Sequence, residues 1–93
     1  MEREKFKTST GFIYELDDDV NDDMEYLEVL MSMKEDAKTR NIYLPKLVGI
    51  ILGEEQKQAL YEHCRADNGR VRISRVAEEF SEIMENISGA KKN

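Results

Sequence analysis

Apolar and polar residues alternate near the start of the chain, before the spacing becomes helical. Phe12, Tyr14 and Leu16 recur at every second position, the period of a β-strand with one buried face. A turn is expected at residues 9–11, because the glycine at its end can adopt a positive φ. The pattern predicts a short β-hairpin over residues 5–16. Such a hairpin must pack on the rest of the chain, since a lone hairpin is marginal in water.

A helix is predicted to follow, from about residue 19 to residue 36. Its larger apolar stripe recurs at i, i+4, i+7 and i+11, and we expect it to face the core. This stripe consists of Val20, Met24, Leu27 and Met31. A smaller apolar set lies on the opposite side of the helix at about 100° per residue. Its members are Tyr26, Val29 and Met33.

Three further helices are predicted. The first begins at Pro45, a favourable first helical residue, ends at Gly53 and is apolar nearly all round. Gly49 in its middle suggests a close neighbouring backbone. The next runs from Glu54 to about Ala66, with Leu60 and Cys64 on its inner face. The last starts at a Ser74 cap, ends at residues 88–89 and has an apolar stripe of Val76, Phe80, Ile83 and Ile87.

These elements predict a mostly helical α+β fold, with a short N-terminal hairpin followed by about four helices around one core. The length of 93 residues favours a single domain over residues 1–93. Within it we expect the hairpin at 5–16, a helical body at 19–87 and a flexible tail at 88–93.

The charge distribution bears on the class of partner. The net charge is −6, and residues 15–36 hold ten acids against one base, Lys34, so the remaining residues sum to +3. Neither the backbone of a nucleic acid nor an anionic membrane fits this charge. The apolar run at 47–52 is too short to span a bilayer, and residues 1–5 are unlike a signal peptide. With one cysteine and no internal disulfide, we expect a cytoplasmic protein.

Candidate catalytic groups are few. His63 and Cys64 are neighbours, so on a helix their side chains diverge by about 100° and cannot form a nucleophile and its base. We expect a surface histidine and a core cysteine. No phosphate-binding glycine loop or zinc-ligand spacing occurs in the sequence. The prediction is a protein that is not an enzyme and needs no cofactor or metal.

A calcium loop is the sharpest alternative. Acidic and amide residues occupy relative positions 1, 3, 5, 7, 9 and 12, where an EF-hand places its ligands. They are Asp17, Asp19, Asn21, Asp23, Glu25 and Glu28. Asp22 replaces the glycine of the sharp turn, and a strand is predicted before the loop instead of a helix. An acidic helix start explains the same residues, and the sequence leaves calcium binding by residues 17–28 open.

Read in order, these segments resemble the tail assembly chaperones of long-tailed bacteriophages and prophages of Gram-positive hosts. The resemblance covers about Lys5 to Ile87. Its most specific parts are Leu-Pro-Lys-Leu-Val at 44–48 and the stretch at 52–63, which opens with Leu-Gly-Glu-Glu-Gln-Lys and closes with Leu-Tyr-Glu-His. Neither part is a catalytic signature, so the match lies in pattern and length.

The resemblance implies a protein that binds the tape measure protein, keeps it soluble in the bacterial cytoplasm and is absent from the finished virion. The tail tube protein is a second partner to consider, and a homo-oligomer is compatible with the apolar surface. The family implies no catalytic residues. It often has a longer frameshifted product, which only the nucleotide sequence can reveal. Helix packing in a groove would suit a helical partner. The candidate contacts are Tyr26, Val29, Met33, Leu47, Ile50 and Ile51.

Two other functions stay open at this point. The acidic element could imitate a row of phosphates and inhibit a host DNA-binding defence enzyme, although twenty-two residues make a short mimic. A cytosolic regulatory domain is also compatible with the composition. Copurification with a tape measure protein would favour the chaperone, and salt-sensitive binding to a DNA-binding enzyme would favour the mimic.

Overall fold

The structure is a computed structural model that describes residues 3–35 and 40–90, with residues 40, 41 and 88–90 described by their backbone alone. A two-stranded antiparallel hairpin and three helices make up the described part. They are β1 (Arg3–Lys7), β2 (Ile13–Asp17), α1 (Met24–Glu35), α2 (Arg40–His63) and α3 (Ile73–Ala90). The α+β class and the N-terminal hairpin are confirmed. Three helices stand where about four were predicted, because two of the predicted helices are joined in α2 across a kink at Gly53.

The hairpin loop closes as its sequence predicts. The Thr8 amide donates to the Phe12 carbonyl at 2.9 Å, and its own carbonyl accepts from the Gly11 amide at 3.0 Å. Gly11 has a φ of 100°, a conformation that glycine adopts without strain. The ladder itself extends over residues 3–17, beyond the predicted 5–16.

One face of the hairpin packs against α2. Tyr14 and Leu16 are buried on the inner side of β2, as the alternating pattern predicts. At the strand edge, the Glu15 amide donates to Gln56 Oε1 at 2.7 Å, and Gln56 Nε2 donates to the Glu15 carbonyl at 2.9 Å. The side-chain amide of Gln56 thus pairs with β2 as a further strand would, which fixes the hairpin on α2.

Helix α1 begins at Met24, five residues later than predicted. The Asp23 carboxylate caps it by accepting from the amides of Glu25 at 2.8 Å and Tyr26 at 3.2 Å. The acids at 18–22 therefore lie in turns before the helix, instead of in its first turn. This later start also removes Val20 from the helix.

Helix α2 combines two predicted helices. It runs through Pro45 and bends at Gly53, where φ is 82° and ψ is 162°. The glycine was expected to end a helix, and its positive φ does break the helical path there. Among the described residues, Gly49 has no close backbone neighbour outside its own helix; a Cβ there would meet the side chain of Lys57 at 3.7 Å. That expectation for Gly49 is therefore wrong.

Helix α3 presents the predicted stripe to the core, and all four of its members are buried. It begins at Ile73, one residue before the predicted cap, and continues to Ala90, so residues 88–90 are helical. Residues 91–93 lie outside the described residues. The connection from α2 holds a turn at Gly69 and a single β-bridge between Arg65 and Val71. Within the described residues, no helix is both long enough and apolar enough to cross a bilayer.

Candidate partner-binding face

Helix α1 carries apolar side chains on two opposite faces. Its inner face consists of Tyr26 and Val29, which are buried, and Leu30 and Met33, which are half-buried and packed against the core. These residues follow the spacing i, i+3, i+4 and i+7, the pattern of a helix side that packs on a protein interior. The set expected to be free for a partner is thus the set that holds α1 in place.

The outer face of α1 consists of Met24, Leu27 and Met31. These residues are 67%, 49% and 55% exposed, respectively. The prediction that these residues face the core is therefore wrong. Two facts explain the reversal: the helix starts too late to include Val20, and Leu30 completes the inner face.

The second set of predicted contacts lies on α2. Leu47 and Ile51 are buried, and Ile50 is half-buried against the core. Of the six residues proposed to bind a partner, four are thus buried and two are half-buried. Partner binding by these six stays a prediction that would require the core to open. The exposed outer face of α1 can offer a partner apolar contacts without any opening of the core.

Acidic groups flank the outer face of α1 at its start and along one edge. Asp22 and Asp23 line a hollow of about 270 Å³ together with Met24 and Leu27. One turn after Met24 and Met31, at i+4, come the exposed carboxylates Glu28 and Glu35. The other edge carries Lys34. An apolar strip thus lies within a predominantly negative rim, which favours partners that combine apolar and basic groups.

A second apolar surface lies between α2 and α3. It is a groove of about 260 Å³, and Ile73 at its edge is 61% exposed. Its lining residues are Leu44, Pro45, Tyr61, Val71, Ile73 and Val76. The segment that contains Val71 and Ile73 also carries Arg70, Arg72 and Arg75. The charge near this groove is therefore of opposite sign to that around α1.

The tip of the hairpin forms a polar cluster with α2 and α3, which we call the loop-tip cluster: Ser9, Thr10, His63, Glu79 and Glu82. Ser9 donates to Glu82 from its amide at 2.8 Å and from its hydroxyl at 2.5 Å. These two donors hold the pKa of the Glu82 carboxyl below its usual value. Thr10 Oγ1 donates to Glu79 Oε2 at 2.6 Å and lies 2.8 Å from His63 Nε2.

The arrangement around Thr10 is suited to holding the hairpin and not to nucleophilic attack. Because the single hydroxyl proton goes to Glu79, His63 Nε2 must donate to Thr10. In a catalytic triad the imidazole lies between hydroxyl and carboxylate, whereas here the hydroxyl lies between the other two. Glu79 is only 3% exposed, and its Oε1 is buried without a hydrogen-bond partner among the described residues, 4.0 Å from His63 Nε2.

Sequence reasoning missed this cluster. His63 was expected at the surface, but it is half-buried against Thr10 and tilted against the Phe12 ring. Glu79 flanks the buried stripe of α3 between Val76 and Phe80, and this position was the only local sign that it would be buried. Thr10 is separated along the chain from His63 by 53 positions and from Glu79 by 69 positions, and contacts over such separations have no periodic signature in the sequence.

Cys64 is fully buried, as expected. Its burial raises the pKa of its thiol, and the negative charge of the nearby Glu79 raises this pKa further, by a smaller amount. Among the described residues, no three His, Cys, Asp or Glu side chains meet in a way that would hold a metal ion. The segment proposed as a calcium loop follows strand β2, and its Asp23 caps α1.

Compared with models of known protein families, with curated proteins and with solved structures, the chain gives no match.

Proposed function

We propose that the protein is a phage tail assembly chaperone that binds the tape measure protein and keeps it soluble until the tail forms. Two observations support this proposal. The residues at 44–48 and 52–63 resemble that family. The outer face of α1 leaves Met24, Leu27 and Met31 in water, and this exposure is the observation on which the proposal chiefly depends.

The exposed side chains can supply the free energy of binding. Burying a leucine or methionine side chain stabilises by roughly 1.5–3 kcal/mol, so three exposed together offer a partner substantial free energy. Two of the three are methionines, whose flexible thioether side chains adapt to irregular apolar surfaces. The flanking acids keep the unbound chaperone soluble by mutual repulsion. A long amphipathic helical protein before assembly exposes apolar stripes that such a face would cover.

Coexpression tests the proposal. The tape measure protein is produced with the wild-type chain or with the triple variant Met24→Gln, Leu27→Gln and Met31→Gln. Glutamine has nearly the helix propensity of leucine and methionine, so α1 should form in the variant. We expect the wild type to copurify with soluble tape measure protein and the triple variant to lose most of that yield.

A matched control removes exposed apolar groups elsewhere. Ile42 and Ile73 are 71% and 61% exposed, and neither lies on α1. The double variant Ile42→Gln and Ile73→Gln should therefore retain the wild-type yield. If the double variant loses the yield and the triple variant keeps it, the outer face of α1 is not the binding surface. If no chain increases the soluble yield, the chaperone function is wrong.

A further inference from the structure

The rim of the outer face indicates which kind of helix can occupy it. We infer that this face takes an amphipathic helix whose apolar stripe is flanked by lysine or arginine residues. The inference rests on the proposed function for the source of that helix, which would be the tape measure protein. It adds a requirement on the partner's charge that the proposed function does not contain.

The size of the face favours a crossing helix. Met24 and Met31 are seven residues apart, or about 10 Å along the axis of α1 at 1.5 Å per residue. A strip of this length spans two turns and matches two or three side chains of another helix at i, i+3 or i+4 and i+7. An extended strand would find no free sheet edge here, because α1 has its backbone groups paired internally.

The charge of the rim then selects among helices. Glu28 and Glu35 are exposed one turn after Met24 and Met31, and Asp22 and Asp23 line the hollow at the start of the face. A partner helix with acids beside its apolar stripe would place like charges together, which costs free energy in proportion to their proximity. A helix with basic flanks gains attraction at the same positions.

A second copy of this chain is a poor occupant for the same reason. Two chains paired through the same face would bring together two segments that each hold ten acids and one base within residues 15–36. The face would be apolar enough for such a pair, but the rims would repel each other. Pairing of two copies through this same face is therefore disfavoured at low salt.

Two synthetic peptides of about 20 residues test the inference, a length that allows measurable helicity. Both carry the same apolar stripe, flanked by lysines in one and by glutamates in the other. Titration calorimetry with the full chain should give at least about tenfold tighter binding of the lysine peptide at low salt, and the advantage should shrink near 1 M salt. Equal affinities would overturn the inference, as would unchanged lysine-peptide binding by the Met24→Gln, Leu27→Gln, Met31→Gln variant.

Removing rim charges separates a local effect from net charge. The double variant Glu28→Gln and Glu35→Gln should weaken lysine-peptide binding several-fold. The control Glu78→Gln and Glu85→Gln removes two exposed acids from α3 and should leave binding unchanged. Equal losses in both variants would mean that net charge, and not the rim, attracts the peptide, and would overturn the local assignment. Circular dichroism verifies that each variant is folded.

The two proposals fail in different ways. If the lysine peptide binds the outer face but the tape measure protein does not copurify, the proposed function is wrong and the charge preference stands. If the tape measure protein copurifies through the outer face but the two peptides bind alike, the charge preference is wrong and the proposed function stands.

Discussion

The outer face of α1 and the loop-tip cluster depart from the usual distribution of polar and apolar groups in opposite directions. The outer face leaves large apolar residues about half or more exposed, whereas the loop-tip cluster buries a carboxyl group, Glu79, almost completely. In the cluster the cost is partly offset within the molecule, because Thr10 donates to Glu79 Oε2 and connects it to His63, whereas Oε1 has no hydrogen-bond partner among the described residues. On the outer face no described residue covers the exposed groups.

This difference separates stability from function. A buried polar group with partners contributes to a unique packing, here by fixing the hairpin on α2 and α3. An exposed apolar strip contributes nothing to the stability of the monomer. It provides favourable free energy only when a partner covers it. Substitutions in the loop-tip cluster should therefore destabilise the fold, and substitutions on the outer face should affect binding alone.

The largest effect on stability is expected at Thr10. Thr10→Val keeps the shape but removes the hydroxyl, which leaves the Glu79 carboxyl buried without its hydrogen-bond donor. Urea unfolding should show a loss of about 1–3 kcal/mol in the free energy of unfolding. Thr10→Ser restores the hydroxyl and should recover most of that loss. A Thr10→Val variant as stable as the wild type would remove the cluster's role in holding the hairpin.

A smaller effect is expected from acidification. The pKa of Glu82 is lowered in the folded state by the Ser9 donors, so its ionised form stabilises the fold. This contribution is complete above the unfolded pKa of about 4.3 and is lost as the pH falls through the lower folded pKa. Ser9→Ala should raise the Glu82 pKa, as measured by a carboxyl NMR titration. The difference in the free energy of unfolding between this variant and the wild type should become smaller at low pH. An unchanged Glu82 pKa in that variant would contradict the assignment.

The smallest effect on stability is expected on the outer face. The triple variant Met24→Gln, Leu27→Gln, Met31→Gln should change the free energy of unfolding by no more than about 0.5 kcal/mol, since it touches no packed group. Thermal and urea unfolding of the isolated chain provide the measurement. A loss above about 2 kcal/mol would mean that this face packs within the monomer, and the contrast with the loop-tip cluster would fail.

Local periodicity predicted much of the fold. The alternation along β2, the glycine turn at residue 11 and the stripe of α3 all follow from spacing within one element, and Cys64 was correctly placed in the core. The two faces of α1 were recognised as opposite, yet their roles were reversed because the helix start at Met24 and the contribution of Leu30 were missed. Gly53 breaks the helical path as its sequence predicts, with a φ of 82° and a ψ of 162°, although the helical segments on its two sides follow each other without a loop.

The candidate site was only partly predictable for the same reason. The acidity of residues 15–36 is visible in the sequence, but which apolar stripe it surrounds depends on what α2 covers. The loop-tip cluster joins Thr10 to His63 and Glu79 across most of the chain, and no spacing rule connects them. The pairing of Gln56 with Glu15 is equally non-local.

Methyl NMR provides the most direct test of the claim that the outer face of α1 binds the partner. Met24 and Met31 lie on that face, and Met84, half-buried on α3, serves as an internal control. On addition of a helical tape measure segment, the Met24 and Met31 methyl resonances should shift or broaden while the Met84 resonance stays in place. Binding of the segment with unshifted Met24 and Met31 methyls would contradict the central claim.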